Sequence, residues 1–167
     1  MEWMFMPIRR YAEFGGRSRR MEYWMWVLFQ FLLSIVFFIL MFAVGGAAIL
    51  AVGDDPTAAI AAGGAIIVVY LLMLLVSLAL FIPGLAVTVR RLHDTNRTGW
   101  WILAPLGGYI LAFLGAGMES TAISLVGLLA AFAGAIAVLV FMFLDGTSGP
   151  NQYGEDPKSR GTADTFA

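Results

Sequence analysis

Four long runs without a charged residue dominate the pattern of this chain. They cover residues 23–53, 56–89, 98–118 and 120–144. Each exceeds the roughly 18 residues at which an apolar run predicts a membrane-spanning helix. We therefore expect an all-α, polytopic membrane protein with transmembrane helices at 23–50, 64–90, 100–118 and 121–144. Residues 1–158 are predicted to form a single transmembrane domain, and residues 159–167 a disordered tail.

The basic residues indicate how the four helices are oriented. All ten precede the first run, separate the second from the third, or follow the fourth, whereas the other two connections carry only acidic residues. Loops rich in arginine and lysine stay on the cytoplasmic side of a membrane. The connection at residues 53–57 is short enough to join antiparallel neighbours. The sequence thus predicts two antiparallel hairpins with both termini in the cytoplasm, in a bacterial inner membrane.

Composition excludes several functional classes. The chain is 60% apolar and 13% charged, against roughly 25% charge in soluble domains. It has no cysteine, and His93 is its only histidine, so thiolate and multi-histidine metal sites within one chain are excluded. His93 and Asp94 are neighbours on a predicted helix and point in different directions, so they do not form a catalytic base with its orienting acid. No serine or threonine lies in a recognisable nucleophile setting. We therefore predict no enzyme activity, no catalytic or metal residue, no cofactor and no nucleic-acid partner.

Aromatic residues cluster at the ends of the predicted spans. Such residues anchor helices at headgroup depth. Residues 1–16 mix aromatic and arginine side chains, so they either lie flat at the interface or form a short cytoplasmic segment packed on the polar loops. The predicted interface anchors are Tyr23, Trp24, Trp26, Trp100 and Trp101.

Two prolines within the spans predict helix kinks. Pro83 and Pro105 lack the amide hydrogen that continues the helical ladder. The third span is also rich in glycine, which indicates a bent or interrupted helix. Such helices line binding sites in transporters, and the alternative is close packing of small residues against a neighbour. In the fourth span, Gly127 and Ala131 have the spacing of a helix–helix contact face.

Three polar motifs flank the spans and carry a resemblance. Residues 14–24 contain Phe-x-Gly-Arg-x-x-Arg-x-Glu-Tyr-Trp, residues 90–101 contain Arg-Arg-Leu-His-Asp-Thr-x-Arg-x-x-Trp-Trp, and residues 146–157 contain Gly-Thr-x-Gly-x-Asn-x-Tyr-Gly-x-Asp-Pro. Their order and sequence resemble the family called domain of unknown function 805, the YhaH- and YhaI-type proteins. The resemblance implies a small bacterial inner-membrane protein without an established biochemical activity. Asn96 stands at a variable position, and Ser148 replaces a frequent proline.

The predicted topology places all three motifs on the same side of the membrane. Charged groups near a membrane are costly unless they are paired, so we expect these side chains to form one cluster, the polar crown. The crown either binds a partner protein or anionic lipid, or its charges only pair with one another. The alternative function is a small oligomeric transporter or channel. Expected partners are membrane lipids, a second copy, or another membrane protein. The predicted crown comprises Arg17, Arg20, Glu22, Arg90, Arg91, His93, Asp94, Arg97 and Asp145.

Overall fold

The computed structural model describes residues 2–52 and 56–158. Its elements are helices with short connections between them. In chain order they are α1 (Glu2–Arg9), α2 (Arg20–Val52), α3 (Pro56–Asp94), a 3₁₀ helix (Gly99–Leu103), α4 (Ala104–Gly117) and α5 (Thr121–Phe143). The predicted disordered tail at 159–167 and residues 53–55 of the first connection lie outside the described residues.

The prediction of an all-helical polytopic protein with four apolar spans is confirmed. Four stretches are long and apolar enough to cross a membrane: α2, α3, the 3₁₀ helix together with α4, and α5. Helix α3 differs from the prediction because it begins at Pro56 rather than near residue 64. Proline at a helix start is favourable, and the alanines that follow are strong helix formers. With 39 residues, α3 is about 58 Å long.

Small residues determine how α4 and α5 pack. A side chain added at Gly108 would collide with the backbone of Ala131, and one added at Gly127 would collide with the backbone of Ala112. The two helices therefore approach to backbone contact, as small residues allow in membranes. Gly127 and Ala131 are buried, whereas Ala130 is exposed. Helix α2 packs mainly on α3.

Pro105 does not kink a helix, in contrast to the prediction. It lies in the first turn of α4, directly after the 3₁₀ helix. The first amides of a helix have no partner within it, so a proline there removes no hydrogen bond. The third span is interrupted, as the glycine-rich sequence indicated, but the interruption is a change from 3₁₀ to α geometry at Ala104.

Pro83 lies inside α3 and is compensated by the N-terminal segment. A proline at position 83 leaves the carbonyl of Ala79, four residues earlier, without its helical donor. The hydroxyl of Tyr11 donates to that carbonyl at 2.6 Å. Helix α1 packs on both α2 and α3, and Phe5 contacts Phe29 edge to face with ring centroids 5.6 Å apart. The N-terminal segment thus lies against the first two spans and supplies the missing donor.

The aromatic residues predicted as interface anchors have different environments. Trp100 is 76% exposed and Trp101 42%, as expected of side chains that face lipid. Trp24 packs on Phe143 of α5 with centroids 4.4 Å apart. The prediction that Trp26 anchors the helix at the membrane interface is wrong, because this side chain is buried. Its indole fills the space that the missing side chain of Gly84 leaves, so Trp26 packs between α2 and α3.

Candidate functional site

The last turns of α3 form the centre of the polar crown. Arg90 and Arg91 are fully buried there, and Asp94 is 2% exposed. Moving a charge out of water costs several kcal/mol unless it is paired and hydrogen-bonded. The environment of each of these groups must therefore supply opposite charge and hydrogen-bond partners.

Asp94 is shared by two arginines. Arg17 approaches from the segment before α2, with its Nη2 atom 2.9 Å and its Nε atom 3.0 Å from Oδ1 of Asp94. Arg91, one helical turn earlier, pairs with Oδ2 of the same carboxylate. One buried carboxylate thus bridges the N-terminal segment and α3.

Arg90 pairs with a different acid, at the start of α2. Its Nη2 atom lies 2.8 Å from Oε1 of Glu22, and its Nε atom donates to the hydroxyl of Ser18 at 3.2 Å. Its Nη1 atom donates to the backbone carbonyl of Glu13. The carboxylate of Glu13 pairs with Arg10 at the surface, and this hydrogen bond lowers the pKa of the Glu13 carboxyl. Arg90 therefore fastens the N-terminal segment to α3.

The remaining donors of these arginines hold the C-terminal loop. Arg17 donates to the carbonyls of Thr147 at 2.6 Å and Gly149 at 2.7 Å. Arg91 donates to the carbonyl of Leu144, at the end of α5. The guanidinium groups are thus bonded on several sides by carboxylates and carbonyls. We call Arg17, Glu22, Arg90, Arg91 and Asp94 the buried ion cluster.

The C-terminal loop packs directly on the end of α3. A side chain at Gly146 would collide with the carboxylate of Asp94, so glycine permits this approach. The amide of Thr147 donates to the carbonyl of Asp94 at 2.9 Å. Asn151 donates to the carbonyl of His93 at 2.9 Å, and Asp156 accepts from the amide of Gly149 at 3.3 Å. Side chains and backbone together fix residues 146–156.

His93 occupies the edge of the crown. Its ring stacks on Tyr153 with centroids 3.8 Å apart and the planes 2° from parallel. Its Nδ1 atom lies 3.2 Å from the carbonyl of Gly16. These contacts tie the ring to both the N-terminal segment and the C-terminal loop.

Three further residues of the predicted crown lie at its rim. Arg20 pairs with Asp145 at 2.8 Å, and the two side chains are 41% and 59% exposed. Lys158 also reaches Asp145, at 3.1 Å. Arg97 lies over the ring of Phe141, 4.0 Å from its centroid, and pairs with no carboxylate within residues 2–52 and 56–158. The rim pairs are open to solvent, unlike the buried ion cluster.

The geometry of the crown is that of a closed cluster. Among the described residues, no buried side-chain nitrogen or oxygen lacks a hydrogen-bond partner, and no group of acids and histidine could hold a metal ion. Several members of the site were not predicted from the sequence. For four of them the signal was the third polar motif, where residues favouring turns surround a tyrosine, whereas Ser18 lies in the first motif. The missed residues are Ser18, Thr147, Asn151, Tyr153 and Asp156.

Comparisons with known proteins agree with the motif resemblance. The model of the family "Protein of unknown function (DUF805)" matches residues 11–155. The Escherichia coli K12 protein "Inner membrane protein YhaI" is 31% identical over 158 residues, which cover 95% of this chain and 97% of that protein. "Inner membrane protein YhaH" of the same organism is also 31% identical, over 95% of this chain and 98% of its own length. No solved structure matches this chain. The chain belongs to the DUF805 family of membrane proteins of unknown function.

Proposed function

We propose that this DUF805 protein is a non-enzymatic scaffold of the inner membrane that presents a fixed cytoplasmic surface to a partner protein. One observation carries the proposal. The buried ion cluster joins all three polar motifs through the carboxylate of Asp94, with Arg17 from the first motif, Arg91 from the second, and the loop of the third held by Arg17. Since the donors of these arginines are bonded within the chain, we assign the cluster a structural role and assign partner binding to the surface around it.

The C-terminal loop is the surface best suited to a partner. Asn151 and Gly154 exchange two backbone hydrogen bonds of 3.0 Å, and the side chain of Asn151 accepts from the amide of Tyr153 at 2.9 Å. Gln152 and Glu155 are exposed on this turn. Ordering a loop costs roughly 1–2 kcal/mol per residue in backbone entropy. Because buried charges already hold this loop in one conformation, little of this entropy remains to be lost when a partner binds.

Photo-crosslinking tests this surface. A photoreactive residue at Gln152 or Glu155 should yield a discrete crosslinked product in native membranes. The matched control is Met118, which is 69% exposed and lies between α4 and α5, away from the crown. The product should disappear when Asp94→Asn releases the loop. Equal products at all three positions, or none at Gln152 and Glu155, would contradict partner binding by the loop.

The proposal includes two antiparallel hairpins with both termini in the cytoplasm. The distribution of arginine and lysine supports this topology, and so do the contacts of the N-terminal segment and the C-terminal loop with the same end of α3. Reporter fusions after Asp55 and Glu119 should give periplasmic signals, and fusions after Asn96 and Ala167 should give cytoplasmic ones. A cytoplasmic signal from the fusion after Asp55 would refute the topology.

Selective binding of anionic lipid by the crown has less support than binding of a partner protein. Anionic headgroups bind arginines whose guanidinium donors are free, and the donors of Arg17, Arg90 and Arg91 are bonded within the protein. We therefore expect little preference for phosphatidylglycerol or cardiolipin. A strong preference for either lipid in native mass spectrometry would argue that the rim arginines recognise phosphate.

The transporter alternative finds less support in the spans. The carbonyl that Pro83 frees accepts from Tyr11, so the chain itself supplies the donor that the proline removes. Inside the spans, Ser34 donates to Phe31 of its own helix at 2.7 Å and Thr88 donates to Gly84 at 2.7 Å. A flux assay with purified protein in liposomes separates the two functions, because only a conduit gives a rate above empty vesicles.

A further inference from the structure

A groove of about 380 Å³ runs between α3 and the 3₁₀ helix, next to the crown. On one side it is lined by Leu85, Val89 and His93, and on the other by Trp100 and Leu103. Gly99 allows the two walls to approach closely, because any side chain there would come within 2.8 Å of a methyl group of Val89. The groove is therefore built by the close approach of two elements.

The groove changes from apolar to polar along its length. Leu85, Val89 and His93 are spaced four residues apart, so they lie on one face of α3 and cover about 12 Å of its length. Leu85 lies towards the middle of the span, and His93 lies at the crown. The shape and polarity thus match an acyl chain that continues into a headgroup.

The hydrogen-bonding role of His93 follows from its contacts. A carbonyl oxygen only accepts hydrogen bonds, so Nδ1 must donate its proton to the carbonyl of Gly16. In the neutral ring, Nε2 is then an acceptor. Within the part of the chain that the structure describes, Nε2 has no hydrogen-bond partner. The stack on Tyr153 fixes the plane of the ring, so the acceptor is held in place before any ligand binds.

We infer that this groove binds one phosphatidylethanolamine molecule, with an acyl chain along Leu85 and Val89 and the headgroup ammonium donating to Nε2 of His93. The inference goes beyond the scaffold function and does not depend on a partner protein. A neutral acceptor selects a headgroup that has a hydrogen-bond donor, and a charged ammonium N–H forms a stronger bond than a neutral hydroxyl does. Arg90 and Arg91, the cations closest in sequence, pair with Glu22 and Asp94. Arg97 lies over the ring of Phe141 and donates to the carbonyl of Thr95. None of these three arginines lines the groove.

Phosphatidylcholine provides the critical comparison. It has the same net charge and takes the same acyl chains, but its three methyl groups remove every N–H donor. The purified protein is equilibrated with equimolar phosphatidylethanolamine and phosphatidylcholine of identical chains, and native mass spectrometry measures which lipid is retained. One hydrogen bond predicts about a fivefold preference for phosphatidylethanolamine. His93→Phe keeps an aromatic ring on Tyr153 but removes the acceptor, so the preference should disappear.

A second pair of variants tests the groove itself. Leu103 is 43% exposed, so Leu103→Trp fills the groove without entering the buried ion cluster and should reduce retention of both lipids. Leu106 is 49% exposed and lies outside the groove, so Leu106→Trp should retain lipid as the wild type does. Equal retention of the two lipids by the wild type would overturn the inference. So would a preference that survives His93→Phe, or stronger retention of phosphatidylglycerol than of phosphatidylethanolamine.

Discussion

Replacing Asp94 by asparagine removes the charge at the centre of the buried ion cluster while nearly preserving the side-chain shape. The carboxylate accepts from Arg17 through Oδ1 and from Arg91 through Oδ2. In asparagine, one of these two atoms becomes an NH₂ group, which cannot accept from an arginine. One guanidinium would then face another donor, and both would lose the negative charge that offsets their burial.

The magnitude follows from burial. Arg17 and Arg91 have side chains that are 1% and 0% exposed, and removing one partner of such a buried pair costs roughly 3–5 kcal/mol. After the substitution, the nearest described carboxylate to Arg17 is Asp156, at 4.0 Å. For a chain of this length we expect the melting temperature to fall by on the order of 10 °C.

Thermal unfolding of purified protein in one detergent measures the effect. Asp145→Asn is the matched control, because it makes the same chemical change in an acid that is 59% exposed. Exposed ion pairs contribute roughly 0–1 kcal/mol, so this variant should melt within a few degrees of wild type. If the two variants melt at the same temperature, the charge of Asp94 does not hold the crown together.

Two further substitutions, each with its own control, test the packing of the spans and the replacement of the hydrogen bond lost at Pro83. Gly108→Ala should lower the free energy of unfolding by about 1–3 kcal/mol, because its new methyl group overlaps the α5 backbone. Gly107→Ala is the control: a side chain there meets nothing within 4 Å, so the same melting assay should show a neutral or stabilising effect. Tyr11→Phe should cost about 1 kcal/mol by removing the donor to the carbonyl of Ala79. In a Pro83→Ala background, the new amide donates to that carbonyl and the cost of Tyr11→Phe should shrink. An unchanged cost in that background would contradict the compensation.

The sequence was sufficient to predict the spans, because lipid imposes a simple requirement on them. A stretch that crosses the bilayer must be long, apolar and helical, and that requirement can be read without knowing its neighbours. The hydrogen bonding around Pro83 could be predicted only in part. The lost hydrogen bond follows from proline itself, whereas the donor that replaces it, Tyr11, comes from 68 residues away along the chain.

Only the pair of Arg91 and Asp94, three residues apart on one helix, follows from the spacing in the sequence. The other pairs inside the crown could not be predicted, because they depend on how each helix is rotated and where the loops run. Arg90 and Asp94 are four residues apart, a spacing that favours pairing on a helix. Arg90 instead pairs with Glu22, and Asp94 with Arg17 and Arg91. Burial of Trp26 has the same cause, since the rotation of α2 decides which aromatic side chain faces Gly84.

Amide hydrogen exchange of residues 145–157 tests most directly the claim that buried charges hold the C-terminal loop on the crown. In the wild type, the amides of Thr147, Asn151 and Gly154 donate to carbonyls of the chain, so peptides from this loop should exchange slowly. Asp94→Asn should raise their exchange towards that of a free peptide, whereas Asp145→Asn should leave them protected. Fast exchange of the loop in the wild type, or equal protection in both variants, would contradict the account.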